Sequence, residues 1–144
     1  GCMVSVNDLA DRPPHPLDNG DVIDLGGKRV RYLATPHVPH GWEAGVLFEE
    51  TTSTLLCGDL FTQLGDGPTV RTESPMEATV VAEDMFGYSC LSPSTVPTVE
   101  RLADLSPTTL ALMHGPSHTG DGAQWLRELA ADYRRRADLA PAPA

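Results

Sequence analysis

An α/β domain, with helices covering one face of a mixed sheet, is the architecture this sequence predicts. Three observations point to it. β-type runs come in two hairpin-like pairs near the start, helical patterns follow them, and one short apolar strand separates the last two helical patterns. A length of 144 residues suits one domain, and 40% hydrophobic content with 13 Gly and 13 Pro suits a loop-rich globular chain. Residues 1–139 read as a single domain and residues 140–144, Ala-Pro-Ala-Pro-Ala, as a disordered tail.

The elements follow in order. Residues 1–20, with Pro13, Pro14, Pro16 and the Asn19-Gly20 turn signal, read as irregular chain entering the domain. Asp21 to Leu25 and Lys28 to Ala34 read as strands around a Gly26-Gly27 turn. In the second of these, Val30, Tyr32 and Ala34 alternate with Arg29, Arg31 and Leu33, which suggests one buried face. Ala44 to Glu49 and Thr54 to Gly58 form a second hairpin across Glu50-Thr51-Thr52-Ser53.

Residues 62–75 are rich in Gly, Thr, Asp and Pro without periodicity, and read as a loop over the site. Glu77 to Phe86 and Val96 to Leu105 are helix candidates, the second capped by Ser94 or Thr95 with Pro97 in its first turn. Pro107 ends that run, and Thr108 to Met113 is apolar enough for a buried strand. The last helix carries the clearest stripe, Trp125, Leu126, Leu129, Ala130 and Tyr133, after a cap at Asp121 or Thr119. Arg134, Arg135 and Arg136 fall at its end, where cations complement the helix dipole.

Ten Lys and Arg against 20 Asp and Glu give a formal charge of −10, which repels a polyanion and argues against nucleic acid as a partner. Three Cys without regular spacing give no disulfide framework, and neither a signal peptide nor a membrane span is recognisable. These features suggest a cytoplasmic protein; the partner expected is a small-molecule substrate, which no residue pattern names. The sequence opens on Gly1 and not Met, which is consistent with a piece of a longer protein.

The chemistry-bearing residues fall where strands run out into loops. His40 closes Thr35-Pro36-His37-Val38-Pro39-His40-Gly41, Asp59 follows Gly58 nineteen residues later, and His114 precedes Gly115 after the apolar run Leu110 to Met113. Imidazole and carboxylate are the usual ligands of zinc and non-haem iron, and a carboxylate can bridge two such ions. Several neighbours remain open. His37 is a partner that orients a ligand, a substrate contact or a surface residue; His118 competes with His114, although Pro116 and Gly120 argue against the helix that would bring the two together. His15, among prolines, is expected at the surface. Cys57, two residues before Asp59, reads more readily as a small core residue than as a thiolate ligand. Cys2 and Cys90 are uninformative, and Trp42, Glu43 and Phe61 either line a pocket or pack the loop on the sheet.

Together His40, Gly58-Asp59-Leu60-Phe61 and His114-Gly115 resemble the second half of a metallo-β-lactamase-fold enzyme. The turn from Pro36 to Glu43 is most similar to the branch related to the oxygen-binding diiron domain of flavodiiron proteins. The resemblance implies an αββα sandwich, of which this chain is the C-terminal half, with two divalent metal ions, zinc or iron, at one edge of the sheets. It implies that His40 ligates the first metal, Asp59 bridges both and takes part in catalysis, and His114 ligates the second. The superfamily's main signature, H-x-(H/E)-x-D-H, belongs to the other half and does not occur here. A partial chain is therefore expected, completed by an N-terminal half or paired with a second copy that covers its apolar face.

Three readings follow. The leading one is a metal-dependent hydrolase-like protein. The second is a diiron oxidoreductase acting on oxygen or nitric oxide, and the third is a non-catalytic fragment or interaction module that kept the sheet and lost the site.

Overall fold

The computed structural model describes residues 13, 15–42 and 44–139; the expectations for Cys2, Pro14, Glu43 and the 140–144 tail lie outside the described residues. A seven-stranded sheet runs in the order β1-β2-β3-β4-β6-β7-β5. Its strands are β1 (Val22–Asp24), β2 (Arg29–Ala34), β3 (Gly45–Glu49), β4 (Thr54–Leu56), β5 (Val70–Arg71), β6 (Thr109–Ala111) and β7 (Ser117–Thr119). The helices are α1 (Met76–Phe86), α2 (Thr95–Ala103) and α3 (Gly122–Leu139). Strands β1 to β4 form an antiparallel meander, β4 pairs parallel with β6, β6 antiparallel with β7, and β7 parallel with β5. The sheet is mixed and the fold is α/β.

The first turn is set by Gly26 and Gly27, both at positive φ, with Asp24 Oδ1 accepting their N–H groups at 2.8 and 3.1 Å. Helices α2 and α3 pack on each other and on one face of the sheet. That face presents Leu33, Val46, Phe48, Leu55 and Leu110 to Val99, Leu102 and Ala103 of α2 and to the predicted stripe Trp125, Leu126, Leu129, Ala130 and Tyr133 of α3. Asp121 caps α3 by accepting the Gln124 N–H at 2.9 Å. Thr119, the alternative cap, lies instead in β7.

Strand β2 has not one buried face but two, since Val30 and Leu33, on opposite faces, are each 7% exposed. Leu33, not Val30 or Tyr32, points into the helix-covered core, because its cross-strand partner is Val46 while Tyr32 sits opposite Leu47. The reverse face is also apolar, through Tyr32, Leu47, Leu56 and Ala111, and Leu56 is 41% exposed. Single-strand alternation could not tell the two faces apart, since both carry apolar residues.

The three arginines also differ from expectation. The helix runs on to Leu139, so only Arg136 falls in its last turn. Arg134 pairs with Glu100 of α2, Arg135 with Asp132, and Arg136 with both Asp132 and Asp84 of α1. Arg134 and Arg136 tie α3 to its neighbours, while Arg135 pairs within the helix. Among the described residues, no helix is long and apolar enough to cross a membrane.

Candidate metal centre

Local hydrogen bonds explain why each candidate side chain arrives at the same place. In the loop after β2, the Thr35 hydroxyl donates to Val38 O at 3.1 Å and His37 N donates to Trp42 O at 2.9 Å. Val38 and Pro39 are buried, which turns His40 inward, whereas His37 sits exposed at φ 61. After β4, Gly58 and Phe61 both take positive φ, and the Thr62 hydroxyl donates to Asp59 O at 2.7 Å, closing a tight turn around Asp59. Phe61 is fully buried in the core and anchors that turn. Beyond β6, Met113 N donates to Gly58 O at 3.1 Å and Gln63 N to His114 O at 2.9 Å. Gly115, at φ 121, lets the backbone pass so close that a Cβ there would meet Gln63 Cβ at 3.0 Å.

The structure thus brings His40, Asp59 and His114 together. His40 Nε2 contacts Asp59 Oδ2, and His114 Nε2 lies 3.1 Å from Asp59 Oδ1. Exposure grades across the set, from 13% for the His40 side chain through 27% for Asp59 to 58% for His114. Trp42 meets the His40 ring edge-on, with centroids 4.3 Å apart. Asp59 Oδ1 and His40 Nδ1 are buried without a hydrogen-bond partner, which is costly for polar atoms.

Orphaned atoms on the His40 imidazole and on the carboxylate it shares with His114 fit a divalent metal in donor type. In number they fall short. Among the described residues no group of three or more His, Cys, Asp or Glu side chains is arranged to hold an ion as it stands, and three donors cannot complete two coordination shells.

His118 does not join them. It lies on β7 opposite Leu110 and therefore faces the core, 1% exposed. Its Nδ1–H donates to Glu73 O at 2.7 Å and its Nε2 accepts from Gln63 Nε2 at 3.0 Å, so both ring nitrogens are already used. Cys57 is fully buried, and burial pushes its thiol well above the ordinary range, as expected of a core residue.

Two contributors escaped sequence reasoning. A cavity of about 220 Å³ is lined by the three candidate ligands with Thr62, Phe86 and Tyr88. Tyr88 and Phe86 come from the end of α1 and the turn behind it, where no spacing pattern marks them. The Tyr88 hydroxyl is buried without a partner, and burial, followed by the nearby Glu83 carboxylate, pushes its pKa up to about 12. Of the 62–75 segment only Thr62 reaches this cavity; the rest runs to the far sheet edge, where Val70–Arg71 becomes β5.

No family model matches the chain, and no curated protein matches it either. Solved structures do. This fold is the metallo-β-lactamase fold. The rubredoxin oxygen:oxidoreductase of Desulfovibrio gigas is similar over 96% of this chain and 35% of its own, with 17% identity and a TM-score of 0.69. The metal-soaked Flv1 flavodiiron core of Synechocystis sp. PCC6803 is similar over 92% of this chain and 33% of its own, with 22% identity and a TM-score of 0.60. A metallo-beta-lactamase family protein of Thermus thermophilus is similar over 89% of this chain and 38% of its own, with 25% identity and a TM-score of 0.54. The chain spans about half the length, or less, of the structures it matches.

Proposed function

We propose that this chain supplies one half of a dinuclear metal centre, with His40 on one ion, Asp59 shared between the two and His114 on the other, the remaining donors coming from a complementing half. The convergence of the His40 and His114 imidazoles on the Asp59 carboxylate, with one buried oxygen that lacks a hydrogen-bond partner, carries the reading.

The completed centre is read as that of a diiron oxidoreductase acting on a small molecule such as oxygen or nitric oxide. The support is the cavity itself, which is small and lined, beside the candidate ligands, by Thr62, Phe86 and Tyr88. Such a lining suits a diatomic gas better than a polar ester or amide. Tyr88 keeps its proton at neutral pH, so it offers the cavity an O–H donor. Iron would supply the redox chemistry; the chain's own residues bind, orient and exclude water.

A hydrolase remains the second reading, favoured by the likeness to the Thermus metallo-beta-lactamase family protein. The same donors suit zinc, which lowers the pKa of a bound water towards neutrality.

Titration of iron(II) and zinc(II) into the protein and its variants tests the site. Asp59→Ala and His40→Ala are each expected to weaken binding at least about tenfold, more than an outer residue costs, and His37→Ala hardly at all. Equal losses at His37 and His40 would overturn the assignment. Oxygen consumption by the iron-loaded protein against ester hydrolysis by the zinc-loaded one separates the two reactions.

A further inference from the structure

A second cavity, of about 440 Å³, lies on the sheet-edge side of Gln63 and shares no residue with the metal set. Arg71 of edge strand β5 is its only cationic wall. The guanidinium packs against Gly67, where a Cβ would collide with it, and its Nε is buried without a hydrogen-bond partner. Among the described residues Arg71 enters no ion pair, although every other described arginine except Arg101 does. Arg101 is committed instead to Ala34 O at 2.6 Å.

The rest of the lining includes acceptors. Gln63, only 6% exposed, gives its amide nitrogen to His118, and no described donor occupies its Oε1. The Glu73 and Glu77 carboxylates stand at the same cavity, and Val81 and Ala78 of α1 supply an apolar side. A simple anion would meet two carboxylates, and a simple cation would meet the guanidinium. Only a ligand carrying both charges satisfies the walls together, and the volume falls in the range of small-molecule sites.

We propose that this cavity binds a small zwitterion of the free amino-acid class. Its carboxylate pairs with the Arg71 fork and its ammonium donates to Gln63 Oε1 and the Glu73 and Glu77 carboxylates. An aliphatic side chain lies along Val81 and Ala78.

Calorimetric titration with glycine and L-leucine tests this, with isovalerate and isopentylamine as probes that each lack one charge. A single binding site for at least one amino acid is expected, with both singly charged probes at least tenfold weaker. Arg71→Ala is expected to weaken binding at least tenfold. Arg71→Lys, which keeps the charge but loses the planar fork, should weaken it too, so the test survives if the first variant fails to fold. Asp59→Ala should bind amino acids like the parent, which separates failure here from failure of the metal reading. Absence of binding by both amino acids, equal binding of isovalerate, or unchanged binding in folded Arg71→Ala or Arg71→Lys would each overturn the proposal.

Discussion

Replacing His118 and His114 one at a time by alanine should separate folding from metal binding. His118 is 1% exposed, holds two hydrogen bonds of 2.7 and 3.0 Å, and meets the Trp125 ring edge-on at 6.0 Å between centroids. Truncation leaves a cavity between β7 and α3 and strands the Gln63 amide and the Glu73 carbonyl. Comparable deletions of a buried ring cost about 3 to 5 kcal/mol, with the lost hydrogen bonds contributing to the upper end. A chain of 144 residues unfolds with an entropy of about 0.3 kcal/mol/K, so the melting temperature should fall by about 10 to 17 °C. His114, with its side chain 58% exposed, should move it by less than about 2 °C. Thermal unfolding by circular dichroism reads the first quantity, and iron or zinc affinity of the folded protein at low temperature reads the second. His114→Ala should lose affinity and His118→Ala should keep it. A His118→Ala variant that melts with the parent, or that loses metal while still folded, would refute this division of roles.

Three further outcomes are expected. Leu126→Ala, at a fully buried position between α3 and the sheet, should cost about 3 to 5 kcal/mol in chemical denaturation, and a cost under about 1 kcal/mol would mean the seam is not packed as described. Iodoacetamide at mildly alkaline pH should label half-buried Cys90 and spare Cys57 in the folded protein, with peptide mass mapping as the readout; equal rates would contradict the buried, raised-pKa thiol. Hydrogen bonds from Thr52 and Thr51 hold the Glu49 carboxyl down to about 2 from its ordinary 4.5, so its contribution is present above pH 4.5 and lost as pH falls through about 2. Melting curves of Glu49→Gln and parent should therefore converge between those values, and parallel curves would count against the turn geometry.

Periodicity carried most of what the sequence made legible. The α3 stripe is buried residue for residue, and the first two hairpins lie where their Gly-Gly and Glu-Thr-Thr-Ser turns placed them. The three candidate ligands were visible because each lies in the loop that follows a strand. What stayed hidden depends on pairing between distant segments. Strands β5 and β7 are two and three residues long and exist because they pair with each other and with β6, so neither has a pattern of its own. The helix-covered face of β2 was set by its register with β3. The place of Tyr88 was set by how α1 ends, at a left-handed Gly87 whose N–H returns to Glu83 O at 2.8 Å.

The parallel pairing of β4 with β6 also bears on how the molecule comes to exist. Leu55 must find Leu110 across an intervening segment that includes two helices, with no short turn to guide it. Closing so long a loop is entropically unfavourable before any contact rewards it, and topologies built on such pairings fold slowly. Asp59 and His114 meet only after that step. During refolding, metal affinity should therefore lag behind helix signal, arriving with the last cooperative event and not the first.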